Sequence, residues 1–378
     1  MTAARNMWCG AALAAAFALW SGALVRFRFE SNPTGLFFVG ELAKASKAGI
    51  EGVYIHRASY GYDGQFYYLL ARDPFLRGAT ADFIDAPRLR ARRILVPLAA
   101  WLLAVGRPDW IAASYLATVV LAAGLGAYFL SRIATAHGRS HWWGLAFGAI
   151  PAAAISAERM TIDIALAAAA VAACWFWESR RDGAMWTTLC VAMLARETGL
   201  LIVAAAVAAS WFAGRRAWAA IHALAVLPWL AWAAYVATRT PPTIDTWMGI
   251  PFEGWWERVV HPAHYPMGFS LLLQGLDLAA LAGIALAVAL AIQLALRRPL
   301  GFEVWAALAF AVLAACVSNA DVWAEVYGFG RTVGPILLLL LVAFLKGCHW
   351  AALIPAALVF PRLAIQMLYQ QVAPFLQQ

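Results

Sequence analysis

One acidic residue stands where a general base would be useful. Asp63 lies in the phrase Tyr60-Gly-Tyr-Asp-Gly-Gln-Phe-Tyr-Tyr-Leu-Leu-Ala-Arg-Asp-Pro74. Asp63-Gly64 reads as a turn feeding a short helix that stops before Pro74. As a purely structural residue Asp63 would be that helix's N-cap, with the aromatics forming an interfacial belt. As a chemical residue it would be a base on a lipid-borne substrate, kept ionised by capping. Tyr62, Gln65, Tyr67 and Asp73 surround it in sequence and are the candidate substrate contacts. Cations able to hold a phosphate bidentately follow at Arg92, Arg93, Arg196 and Arg331. Arg92 and Arg93 serve equally well as headgroup anchors.

Arg196-Glu197 interrupts an apolar stretch. The two form an internal ion pair, or Arg196 awaits a lipid phosphate; charges at membrane depth default to function. Glu158 and Asp163 flank another turn, as substrate contacts or as a structural cap with Thr161. His56, His261 and His264 supply imidazoles, but Pro262 and Pro266 argue for a loop and no third ligand is evident. No metal and no cofactor is expected. Asp277 is a packing contact or a cavity-lining group, and the sequence does not choose. No Walker, Rossmann, zinc or catalytic-serine pattern appears.

These residues are set in a chain of 378 residues, of which 64% are hydrophobic and 13% charged. Soluble domains carry roughly 25% charge, so this is an integral membrane protein with an all-α polytopic fold. The five cysteines are scattered and read as small core residues. A net charge of +8 invites nucleic acid, but the basic residues are dispersed in pairs between apolar runs, as topology determinants are. Tryptophans near run ends (Trp142, Trp143, Trp175, Trp177, Trp211, Trp218) suit the headgroup layer.

Apolar runs cover residues 8–25, 110–130, 142–156, 161–177, 217–237, 267–296, 302–317, 332–345 and 350–369. The first is kept as an uncleaved span. Basic pairs at Arg132/Arg139, Arg180/Arg181, Arg215/Arg216 and Arg297/Arg298, with Lys346, mark the cytoplasmic loops. With the N-terminus inside, residues 93–105 then cannot span and suit a helix lying at the outer interface. Residues 184–213 are too long for one crossing and become an out-and-back hairpin with Arg196-Glu197-Thr198 at its tip. The result is about eleven spans, C-terminus out, in one transmembrane domain. It runs as a first span (1–25), an outer loop with interfacial helices (26–109), a helical module (110–238), an outer loop (239–266) and C-terminal helices (267–378). Of the twenty carboxylates, all but Glu178, Asp182 and Glu303 fall outside or in the outer half. Any chemistry therefore belongs to the outer loops, 318–331 included.

The early span, the long outer loop with its Asp and the interfacial helix together resemble the GT-C glycosyltransferases. The phrase around Asp63, Arg92-Arg93-Ile-Leu…Pro97 and the Arg196-Glu197-Thr198 tip are similar to a bacterial subgroup linked to cell-surface glycopolymer formation. The likeness covers roughly the first 220 residues. It implies a bacterial inner-membrane enzyme that moves a sugar from a polyprenyl-phosphate donor to a glycan or lipid acceptor at the outer face. Membrane lipids are then its partners and nucleic acid is not. It implies Asp63 as catalytic residue and Arg196 near the lipid phosphate. Many such enzymes pair two acids in the first loop; here Gly64 follows Asp63, and Asp73 is the nearest substitute. A transporter or flippase for a lipid-linked glycan is the alternative, though such proteins show internal repeats. A non-catalytic scaffold would have no use for the Arg-Glu tip.

Overall fold

The computed structural model describes residues 2–242, 248–265, 270–296 and 301–376. The chain enters as α1 (Thr2–Arg28). The first loop carries short 3₁₀ turns, a parallel ribbon of β1 (Val39–Gly40) and β2 (Ile55–His56), and helices α2 (Gly64–Arg72), α3 (Pro87–Ala91) and α4 (Leu95–Leu103). Next come α5 (Ile111–Ala136), α6 (Pro151–Arg159), α7 (Asp163–Glu178), α8 (Asp182–Ala195), α9 (Gly199–Phe212), α10 (Arg216–Ala223) and α11 (Leu227–Arg239). The remainder is α12 (Glu253–Val260), α13 (Ser270–Ala295), α14 (Phe302–Cys316), α15 (Ala320–Trp323), α16 (Val326–Thr332), α17 (Pro335–Leu345) and α18 (Ile354–Leu376).

Among the described residues five helices are long and apolar enough to cross a membrane, or six if the bent pair α16–α17 is one crossing. The molecule is thus all-α, with the helices of a multi-pass membrane protein. Its centre is α17, apolar on every face and buried at every residue. Helices α1 and α5 pack at glycine: a Cβ on Gly10 would stand 2.7 Å from the Gly124 carbonyl oxygen.

The expected hairpin is present. Helices α8 and α9 each have 14 residues, about 21 Å of helix against a hydrocarbon core of about 30 Å. Arg215 bonds Asp182 at 2.6 Å, closing the open end, and Arg196, Glu197 and Thr198 form the tip. The expected inner carboxylates gather at that open end: Glu178 meets His137 at 2.8 Å, and Lys346 meets Glu303 at 2.9 Å. Helix α4, at 9 residues, is too short to span.

Two expectations are corrected. Residues 142–156 are not one helix. They form a 3₁₀ segment, His141–Ala149, which breaks at the extended Ile150 before α6. Pro151 disfavours helix at the residue before it. Gly144 presses against α5, where a Cβ would stand 2.4 Å from the Ala127 carbonyl oxygen. Residues 318–331 are not an exposed outer loop either. They fold inward as α15 and α16, because Trp323, Tyr327 and Phe329 are buried. Helix α16 then meets α17 at a 57° bend, at Gly334-Pro335, where proline ends the hydrogen-bond ladder. The Arg297/Arg298 pair, Pro266 and Met267 lie outside the described residues.

The hairpin geometry makes a topological prediction. In a cysteine-free background, Arg180→Cys and Arg216→Cys should react with an impermeant maleimide from one side of the membrane. Glu51→Cys should react from the other. Labelling of all three from one side would contradict the fold.

Candidate functional site

Asp63 occupies the N-terminal position of α2, but it does not cap. Its backbone is right-handed helical and its side chain makes no capping bond, because a capping side chain needs the extended geometry it lacks. Its oxygens go to arginines instead: Oδ1 to Arg90 at 3.0 Å and Oδ2 to Arg331 at 2.8 Å. Burial pushes the Asp63 carboxyl up, yet Arg90 and Arg331 outweigh it and hold it well below the usual carboxylate range. The expectation that capping keeps Asp63 charged is therefore corrected; two guanidiniums do so.

From Asp63 a line of alternating charge runs inward. Arg331 also approaches Asp163 Oδ2 at 3.6 Å. Asp163 Oδ1 pairs with Arg196, which donates to Thr332 Oγ1 at 3.2 Å and to the Arg331 carbonyl at 3.3 Å. Glu197 grips Arg93 with both oxygens, at 2.8 and 2.5 Å, and Arg93 donates to the Tyr67 hydroxyl at 3.1 Å. Arg196 is therefore not without a counter-charge, as the sequence suggested; Asp163 from α7 already faces it. Nor do Arg196 and Glu197 form a close pair, at 3.8 Å. The side chains of Asp163 and Arg196 are 3% and 8% exposed, so neither tolerates loss of its partner.

Other expected contacts serve the framework. Gln65 accepts from the Gly40 amide at 3.2 Å and donates to the Tyr60 carbonyl at 3.1 Å. Asp73 accepts from the Arg77 and Gly78 amides and the Thr80 hydroxyl, so it organises a turn at the far end of α2 and does not substitute for a second acid. Glu158 accepts from the buried Tyr327 hydroxyl. Thr161 does not cap α7; its hydroxyl meets Ser156 Oγ at 2.9 Å, and Ser156 accepts from the Ile164 amide. Tyr62 lies under Arg331, 4.8 Å from ring centroid to guanidinium. His56 is half-buried among Phe29, Phe38 and Tyr54, and the loss of solvent pushes it down to about 4 and keeps it neutral. His261 and His264 lie past the end of α12, not on one helical face. Asp277 is a packing contact: it binds Arg362 at 2.6 Å and Arg258 at 3.3 Å, fastening α12 to α13 and α18.

Gly64 has a steric reason. A Cβ there would stand 2.1 Å from the Arg159 carbonyl oxygen and 2.9 Å from that of Phe37. The backbone of the α6–α7 turn occupies the place where a second acid would project.

The sequence reading missed Arg90. Its signal was spacing in Arg88-Leu-Arg90-Ala-Arg92-Arg93. On a helix, residues three or four apart share a face. Arg90 and Arg93 turn to the carboxylates, while Arg88 and Arg92 turn to a cavity of about 270 Å³ lined also by Arg93, Arg196, Glu197 and Thr198, with apolar Leu313 and Val317 opposite. Arg88 donates only to the Ala237 and Thr240 carbonyls and the Thr240 hydroxyl. The Arg92 side chain has no hydrogen bond or ion pair among the described residues, and its buried Nε, the Arg196 Nε and the Thr198 hydroxyl all lack a hydrogen bond. Four arginines and one carboxylate line this cavity, and three donors on its lining residues lack a hydrogen bond, an arrangement that can hold an anion. Comparison with family models, with curated proteins and with solved structures finds no match.

Two substitutions test the framework. Asp163→Asn removes the hydrogen-bonded counter-charge of buried Arg196, leaving only the longer contact to Glu197 at 3.8 Å, and should cost about 3–5 kcal/mol. Gly64→Ala should cost at least about 1–3 kcal/mol by overpacking, since backbone cannot yield as a side chain can. Thermal unfolding in detergent measures both; wild-type melting of either variant would refute the corresponding packing.

Proposed function

We propose that this protein is a membrane glycosyltransferase of GT-C type. It moves a sugar from a polyprenyl-phosphate donor to a glycan or lipid hydroxyl. The reading keeps about eleven crossings of a bacterial inner membrane, with Asp63 and the hairpin tip toward the outer face. The observation that carries it is the arginine-lined cavity with three unpartnered donors, linked to Asp63 by a line of ion pairs. An apolar groove of about 560 Å³ among α4, α5, α7 and α8 begins at Leu95 and Val96, beside Arg93. It suits the donor's hydrocarbon chain as the cavity suits its phosphate.

In this scheme the acceptor hydroxyl gives its proton to the Asp63 carboxylate as its oxygen bonds the sugar's anomeric carbon. The bond from that carbon to the phosphate oxygen breaks, and the polyprenyl phosphate leaves with the electron pair. Arg92 and Arg196 hold the departing charge at the cavity wall, fixed in place before the bond breaks. Neither a metal nor a cofactor is called on.

The bend between α16 and α17 favours a second reading, since broken helices beside charged sites are a mark of transporters. Chemistry separates the two. Asp63→Asn should lower transfer by about 10²–10⁴-fold, the usual worth of a general base, without weakening lipid binding. Arg92→Ala should weaken donor binding without lowering the melting temperature, because Arg92 has no partner to lose. Arg196→Ala should weaken binding and melt early. Transfer at the wild-type rate in Asp63→Asn would remove the base and leave transport as the better reading.

A further inference from the structure

The line of charge joining the cavity to Asp63 has a property that neither end has alone. Its order is Arg196, Asp163, Arg331, Asp63, Arg90. Arg331 is the shared cation, 2.8 Å from Asp63 and 3.6 Å from Asp163. Asp163 spends Oδ1 on Arg196 and leaves Oδ2, the oxygen facing Arg331, without a hydrogen bond. Arg196 in turn lines the cavity, with its Nε free of hydrogen bonds and 3.8 Å from Glu197 Oε1. Asp163 and Arg331 thus each have one partner engaged and the other within a small movement, while Asp63 is held by two arginines and can give up one. Such a line has two arrangements, shifted by one partner, and both keep every buried charge paired.

Resting on the reading of the cavity as an anion site, we infer that Asp163 and Arg331 act as a relay, so that an anion bound at Arg196 releases Asp63 from Arg331. The anion takes Arg196; Asp163, losing it, turns its idle oxygen to Arg331; Arg331 moves from Asp63, which keeps Arg90. No covalent bond changes. A donor phosphate would then arm the base that uses it. Asp163 and Arg331 are positioning residues in this scheme, and the coupling is reciprocal, because linkage requires that whatever frees Asp63 also tightens the anion. Low solvent access keeps the interactions strong: the side chains of Asp163, Arg196 and Arg331 are 3%, 8% and 14% exposed.

The test is a double-mutant cycle on the full-length protein in dodecyl maltoside, titrated calorimetrically with farnesyl monophosphate and, as an uncharged control, farnesol. Asp63→Asn should bind farnesyl monophosphate tighter by about fivefold or more, since Arg331 is then free for Asp163 and Arg196 for the anion. The same change made in Arg331→Lys should have no effect, because a single ammonium keeps the charge but does not bridge two carboxylates as the guanidinium fork does. Asp163→Asn is a second break in the relay, with the same expectation. Arg331→Lys carries the test if Asp163→Asn does not fold. An equal gain in the relay-broken backgrounds would make the effect a through-space one and overturn the relay, as would no gain in the wild-type background. If the wild type binds farnesyl monophosphate no better than farnesol, the anion site itself fails, and the relay with it.

Discussion

Charge inside an apolar bundle must be paired, and this constraint shapes everything around Asp63. Arg90, Arg93, Arg196 and Arg331 come together in a chain with only 13% charged residues. A lone guanidinium at such depth would be expelled or would destabilise its helix. The solution is alternation. Asp63, Asp163 and Glu197 sit between the arginines, so no cation in the line lacks a carboxylate neighbour. The pairing draws on five places in the chain: the start of α2, the helix α3, the start of α7, the hairpin tip and the end of α16. The ion pairs therefore fasten segments that share no contiguous sequence, and they do so at one end of the molecule.

Backbone shape supports this by clearing space. Gly64 lets α2 lie against the α6–α7 turn, and that turn delivers Asp163. The turn itself bends through Met160, a bulky residue at φ 48°, held there by the bonds among Ser156, Thr161 and the Ile164 amide. The hairpin arms are too short to traverse a bilayer, so the tip meets the line of charge and does not run past it. The 57° bend after α16 turns Arg331 toward the same place. Shortness, a bend and a glycine are each local features, and together they aim four arginines at one small volume.

Against the paired line, the cavity wall shows what pairing leaves over. Among the described residues the Arg92 side chain has no partner and that of Arg88 meets only carbonyls and a hydroxyl. The cavity therefore presents cationic surplus next to a balanced network. Surplus charge at the rim with compensated charge behind it suits reversible capture of an anion: the rim attracts, and the network beneath keeps its order when the anion leaves.

Much of this was legible in the sequence. Composition alone required an all-α membrane protein, since there is too little polar surface to face water. Paired basic residues located the hairpin and the end holding Glu178, Asp182 and Glu303, because charge patterns act through loops, which are contiguous. Asp63, Arg93, Arg196, Glu197 and Arg331 stood out as charges in apolar surroundings. Their partners did not. Nothing in the spacing says that Asp163 meets Arg196, that Arg93 meets Glu197, or that Arg331 reaches back to Asp63, for these pairs are separated by up to 268 residues. Helix packing decides them, and with them whether a cation is free or already neutralised. Individual residue types determined that these charges would need partners; only the tertiary arrangement decided which partners, because Coulombic and hydrogen-bond energies depend on distance in space and not along the chain.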